Sequence, residues 1–316
     1  MLEDWIFRYI PRIFSALSFL VSPWFVYLVF TEKPANFGNY RYLLLYFACF
    51  NLIYSVANVA VPMDIHSYRY CFFVTVRHGW FAQVSEVNFQ MLSARCSLVS
   101  VSYAVILTHF VYRYLVVHDS SLTKKHFHWY LAISAVVCIL YFVTSHLICI
   151  FPGRANMEIK EYIRSEFLGT GTDPVDYNVL GALFYEGSYE TLFNSWANTI
   201  MSFTVSVGSL TMFCILTKMI MFNLKKMTVT ASKKTAKFQS ELLRALIVQT
   251  VIPMFVSFSP CLLCWYSPMF GIQLGRGFNY LEISALGVFA FVDPVAIVLC
   301  IPICRKRMYL FFTSFF

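Results

Sequence analysis

The sequence predicts an all-α membrane protein, a bundle of seven transmembrane helices, on three observations. Apolar residues fill 59% of the 316 positions and Asp, Glu, Lys and Arg only 13%, where a soluble domain has roughly half and a quarter. The apolar residues gather into seven long runs, most near the ~20 residues that a bilayer crossing needs. The basic residues that bring the net charge to +8 sit in short segments between those runs. That distribution suits membrane flanks and not a nucleic-acid surface.

In order, the expected spans are 13–30, 42–63, 88–114, 129–151, 195–222, 242–264 and 280–303. The runs are continuous, without the alternation of a membrane barrel, so strands are not expected. Arg95 interrupts the third run, and Glu282 and Asp293 interrupt the seventh. Glu3, Asp4 and Arg8 precede the first run and no small-residue cleavage site follows it, which makes it a retained span and not a signal peptide. The chain therefore reads as one domain, 1–316, with no internal repeat.

Orientation follows from Lys and Arg in the connections. With the amino terminus outside, inner segments carry 15 basic residues and outer ones 8. The inner connection 223–241 is strongly basic, with Lys225, Lys226, Lys233, Lys234 and Lys237, and a short cytosolic tail occupies 304–316. The outer connection 152–194 is acidic, from Glu158 to Glu190.

Polar residues inside spans are costly and mark candidate functional positions. Arg95 lies about two turns into the third span, roughly 10 Å deep. It can pair with Glu282 across a cavity or receive an acidic or carbonyl ligand; it can also snorkel, or pair structurally with Glu86. Asn194, Trp196, Asn198, Trp265, Tyr266 and Tyr280 lie near the same depth and are candidate pocket residues, although for the aromatic ones an interfacial belt, which needs no ligand, is the preferred reading. Asp293-Pro294 places an acid and a helix break deep in the seventh span, as a hinge or as an acid bonded to its neighbours. Pro253 and Pro260 kink the sixth span beside the most basic connection. At the inner end of the third span stands His109-Phe-Val-Tyr112-Arg113-Tyr114, where membrane anchoring alone explains Arg113.

Ten cysteines lie mostly in apolar runs and read as packing residues. Cys261 and Cys264 form a C-x-x-C without a second pair or a histidine to complete a zinc site. No metal or cofactor is expected.

These segments resemble the nematode seven-helix chemoreceptors, and most nearly serpentine receptor class J of the Str superfamily, along nearly the whole chain. The residues that carry the likeness are Phe37-Gly-Asn-Tyr-Arg-Tyr-Leu-Leu, Pro62, His66-Ser-Tyr-Arg-Tyr, His109-Phe-Val-Tyr-Arg-Tyr, Gln249-Thr-Val-Ile-Pro253 and Asp293-Pro294. The resemblance implies a receptor of the G-protein-coupled type in the plasma membrane, in the cilia of chemosensory neurons. It also implies an odorant or pheromone outside and a heterotrimeric G protein inside. Under it, Arg113 is similar to the arginine of an Asp-Arg-Tyr motif with Tyr112 in place of the acid. Asp293-Pro294 is similar to the Asn-Pro element of the seventh helix, with Ile297 where a tyrosine is expected. The cysteine that usually ties the third span to the second outer loop is missing from 152–194, and Cys71 and Cys149 are the candidate replacements.

Two rival classes are a ligand-gated channel of inverted topology and a small-molecule transporter. The basic-residue bias opposes the first. The first half of the chain has no midplane charge to serve the second. An enzyme is not expected, because the spans hold no paired carboxylates and no Ser-His-Asp arrangement.

Overall fold

The computed structural model describes residues 2–31, 38–167, 173–230, 259–272 and 276–300 throughout, and residues 240–241, 243–244, 246–248, 250–251, 274, 305–306 and 308. Helices α1 (Leu2–Phe30) and α2 (Tyr40–Ala60) form an antiparallel pair. A hairpin of β1 (Asp64–Tyr68) and β2 (Cys71–Thr75) leads to α3 (Glu86–Val117). The Ser85 side chain caps α3 by accepting from the Asn88 amide at 3.1 Å, which satisfies a donor that the first helical turn leaves open. A single turn, α4 (Ser121–Lys124), precedes α5 (Phe127–Ile150), then come α6 (Met157–Phe167), β3 (Val179–Leu183) and α7 (Tyr189–Thr230). The described backbone is helical between 240 and 251, and continues with α8 (Ser259–Tyr266) and α9 (Arg276–Cys300).

Among the described residues, five helices (α1, α2, α3, α5 and α7) are long and apolar enough to cross a membrane, and α9 holds a shorter apolar stretch, Ala290–Cys300. Helix α3 runs through the middle, packed on α5 and α7, while α1 packs on α2 and α9. Side chains of α1, α2, α3, α5 and α9 share one core around Phe25, Phe47 and Tyr54.

One end of this bundle differs from the sequence expectation. The described spanning runs are helical, as their continuity predicts, but the connections, for which the sequence predicts no element, hold β1, β2 and β3 as an antiparallel sheet in that order. The expected loop 152–194 contains α6, β3 and the start of α7. Each strand has five residues, too short to register against runs of twenty. Alternation divides the sheet's two faces. Ile65, Phe72, Val74, Leu180 and Ala182 turn toward the bundle, while Cys71, Phe73, Val179 and Leu183 pack against Ile159, Ile163 and Phe167 of α6. Those α6 residues recur at helical spacing, and Glu161, Arg164 and Ser165 on the opposite side are exposed. Gly181 permits the close approach, since an added Cβ would stand 3.3 Å from Ile159 Cγ2 and 3.3 Å from the Phe72 carbonyl oxygen.

Glu158 fastens this outer unit to α7. Its carboxylate accepts from the Ser188 amide at 2.6 Å, from the Ser188 hydroxyl at 2.6 Å and from Thr191 Oγ1. The bonds from Ser188 and then from Thr191 hold its pKa below the usual carboxylate value. Cys71 and Cys149, the candidate disulfide partners, are both free thiols. They sit in different clusters, Cys71 between the sheet and α6 and Cys149 on the bundle side. Burial raises the Cys71 thiol well above its ordinary pKa.

Candidate functional site

Beneath the bundle-facing side of the sheet lies a cavity of about 180 Å³. Its roof is Ile65, Phe72, Val74 and Leu180, so the sheet that sequence periodicity does not announce forms part of the site. Helix α7 supplies one wall through Asn198, Ser202 and Ser206, four residues apart on one face, with Thr199 beside them. Helix α3 supplies Cys96, Ser100 and Tyr103, and α5 supplies Ser145 and Cys149. No charged side chain lines the cavity among the described residues. The site is thus apolar, with hydroxyl, amide and thiol groups set into its walls, the composition of a small-molecule pocket.

Trp265 and Tyr266 close the remaining side from α8. The Trp265 ring lies flat on Phe72, with centroids 4.9 Å apart and an interplanar angle of 11°. Its Nε1 donates to Thr199 Oγ1 at 3.3 Å. One residue therefore touches roof, wall and α8 together. An aromatic pair of this kind contributes about 0.5–1.5 kcal/mol beyond burial.

Of the candidate pocket residues, Asn198, Trp265 and Tyr266 line the cavity and others are placed elsewhere. Trp196 packs edge-on against Phe184, with centroids 5.4 Å apart, and is exposed, and Asn194 is half-buried without lining the cavity. The side chains of Tyr280 and Glu282 lie outside the described residues. Arg95 corrects the expectation most. Cys96 next to it faces the cavity, but Arg95 turns toward α2, donates through Nη2 to Asn58 Oδ1 and lies 4.2 Å over the Tyr54 ring. It borders a separate apolar groove between α2 and α3. Its guanidinium neither snorkels nor meets Glu86, which binds Arg154 at 2.9 Å and Gln90 at 3.0 Å. Arg95 is 2% exposed, and Nε and Nη1 have no hydrogen-bond partner among the described residues.

The opposite end of α3 also departs from expectation. Arg113 is buried under other side chains, where a membrane anchor would be exposed, and its guanidinium carbon lies 3.5 Å from the centre of the Tyr40 ring. Tyr40 stacks on Tyr112 at 5.4 Å, and its hydroxyl meets His109 Nδ1 at 3.1 Å. Tyr130 adds a hydroxyl bond to the Thr108 carbonyl and a ring against Tyr112 at 5.5 Å. Tyr40 and Tyr130 carry no signal of their own in the sequence, although Tyr40 belongs to the Phe37–Leu44 segment.

Asp293 is buried in α9, and its Oδ1 has no hydrogen-bond partner among the described residues. Pro294 stands within the same helix. Lys225 and Lys226 continue the α7 backbone, but their side chains, and that of Pro260, lie outside the described residues, as do Lys233, Lys234, Lys237 and Pro253 altogether.

Comparison with known proteins decides what this architecture belongs to. The family model "Serpentine type 7TM GPCR chemoreceptor Srj" matches residues 1–308. The chain is 57% identical over 309 residues to serpentine receptor class J-38 of Caenorhabditis elegans, covering 98% of this chain and 94% of that one. The chain belongs to the Srj family of serpentine chemoreceptors. More distant similarity extends to serpentine receptor class r-10 of Caenorhabditis briggsae, 22% identical across 94% of the chain and 87% of that protein. It extends also to G-protein coupled receptor str-33 of Caenorhabditis elegans, 24% identical across 89% and 83%. The protein is thus a seven-helix chemosensory receptor of the G-protein-coupled type, embedded in a membrane. Neither rival class, channel or transporter, is supported by these relatives.

Proposed function

We propose that the sheet-roofed cavity is the receptor's ligand site, and that its ligand is a small, uncharged, largely apolar molecule with one or two hydrogen-bonding groups. The observation that carries this reading is the wall of α7, where Asn198, Ser202 and Ser206 present polar groups to a cavity without a charged side chain among the described residues. An ionised ligand would lose its hydration without gaining a countercharge, and a volume of about 180 Å³ favours a volatile-sized compound over a peptide.

In this reading the seven runs form a single domain with the sheet and the amino terminus outside. The excess of basic residues in the connections opposite the sheet supports that orientation. The opposite end meets a heterotrimeric G protein, with Arg113, Tyr112 and the lysines of 223–241 as contact residues. Since Arg113 is buried under Tyr40, contact requires its release. Asp293-Pro294, Pro253 and Pro260 are the positions at which the helices rearrange. Sensory cilia are the expected location.

The test is a reporter screen in cells with uncharged odorants of graded size, using epitopes inserted within 168–172 and 231–239. Antibody access to the first epitope alone in intact cells is expected. An active compound should lose its effect on Ser202→Leu, which fills the cavity, at unchanged surface level. Access to the second epitope alone overturns the orientation, and an undiminished response in Ser202→Leu overturns the cavity.

A further inference from the structure

Three sulfur-bearing side chains share the cavity wall. Met63, from the turn between α2 and β1, places its Sδ 3.4 Å from Cys96 Sγ of α3. Cys149 of α5 lines the same cavity and interacts with the Cys96 thiol. All three residues line the cavity, and both cysteines are free thiols. Behind them stands Arg95, a buried guanidinium that interacts electrostatically with Cys96 and has no carboxylate partner among the described residues.

We propose that Met63, Cys96 and Cys149 form a binding site for a soft monovalent cation, Cu(I), with Arg95 as the countercharge of the complex. Thiolate and thioether donors select Cu(I) over harder ions. Sulfurs that share one metal at ~2.3 Å each stand roughly 4 Å apart, so the Met63–Cys96 separation of 3.4 Å needs little adjustment. Among the described residues no three His, Cys, Asp or Glu side chains converge, so the third donor is the thioether and a zinc-type set is not formed. The charge balance is explicit. One Cu(I) and two thiols give a complex of one metal, two thiolates and one thioether, with two protons released and one net negative charge. A lone negative charge in an apolar wall is costly, and the adjacent buried Arg95 offsets it. The same complex accounts for a guanidinium held deep in the bundle with Asn58 and the Tyr54 ring as its polar and aromatic partners among the described residues.

The metal site itself does not depend on the receptor reading, but its consequence does: a metal on the wall of the ligand cavity favours ligands that carry sulfur. The test uses the full chain in lipid nanodiscs without oxygen, with Ag(I) as the air-stable probe. The expected result is one tightly bound Ag(I) per chain, with two protons released. Cys96→Ser or Cys149→Ser should abolish it, Met63→Leu and Arg95→Met should each weaken it by about tenfold or more, and Cys49→Ser with Cys214→Ser should leave it. Binding indifferent to Cys96 and Cys149 overturns the proposal. If a variant fails to fold, X-ray absorption of the silver-loaded unmutated chain decides, because three sulfur neighbours are expected and two refute the Met63 ligand. Stoichiometric silver in a receptor that answers to no odorant leaves the metal site standing and removes the receptor reading. A responsive receptor without the silver site does the reverse.

Discussion

The Arg113 guanidinium lies face-on over the Tyr40 ring, its central carbon 3.5 Å from the ring centre, and Tyr40 is held in turn by His109 at 3.1 Å. This stack joins the end of α3 to the start of α2. A buried cation–π contact is worth about 2 kcal/mol, close to a thirtyfold population ratio. Tyr40→Ala should therefore raise ligand-free signalling roughly 10- to 30-fold at equal surface expression, whereas Tyr40→Phe, which keeps the ring, should raise it far less. A basal reporter assay normalised to surface antibody checks both. Equal basal signalling in all three proteins would show that the stack holds nothing back.

Phe72→Ala removes a buried roof residue and the surface on which Trp265 stacks. The expected cost is about 3–5 kcal/mol, read as a lower Tm in detergent and loss of ligand response. Phe72→Tyr keeps the stack and should retain most of the Tm. An unchanged Tm for the alanine variant would contradict the packing of sheet on α8.

Glu158 gives the outer unit a pH dependence of definite sign. Its folded pKa is lowered, first by Ser188 and then by Thr191, so its stabilisation is present above the ordinary carboxylate value of about 4.3 and is lost as pH falls through the lower folded value. Protection of the Ser188 and Thr191 amides, with exchange corrected for its intrinsic pH dependence, should be flat from neutral to about pH 4 and then fall. Glu158→Gln should exchange faster at neutral pH and lose that acid step. An acid step that persists in the variant would assign it to another group.

Arg95→Met in the metal-free receptor should change stability by no more than about 1 kcal/mol in either direction, because a buried charge replaced by an apolar side chain of similar volume recovers its desolvation cost. Arg154→Ala should also cost less than about 1 kcal/mol, since its partner Glu86 is exposed. Thermal unfolding reads both, and a loss of several kcal/mol in Arg95→Met would show that the guanidinium is a structural tie.

The bundle is legible in the sequence because lipid requires long apolar runs, and α1, α2, α3, α5 and α7 leave such runs. The roof is not, because five-residue strands such as Cys71–Thr75 are buried on both faces and read as one more apolar patch between spans. Asn198, Trp265 and Tyr266 stand out as polar or aromatic residues near a span end. Ser202 and Ser206 carry a weaker signal, a small polar residue every fourth position, visible once Asn198 is taken as the first of the series. The direction of Arg95 is illegible, since neighbouring residues on a helix point about 100° apart and only the packing shows that Cys96 faces the cavity. The burial of Arg113 depends on Tyr40, far earlier in the chain, and nothing local to Arg113 announces it.

Helix α7 has 42 residues, about 63 Å at 1.5 Å per residue, roughly twice the hydrocarbon thickness of a bilayer. One part of it forms the cavity wall and the same unbroken rod ends at Thr230, some 28 residues beyond Ser202, or about 42 Å away. A tilt of about 5° pivoting at Ser202 carries the far end nearly 4 Å. Under the proposed ligand site, mechanical gain of this kind turns a shift of the wall by a fraction of an ångström into a displacement as wide as an atom at the other end of the rod.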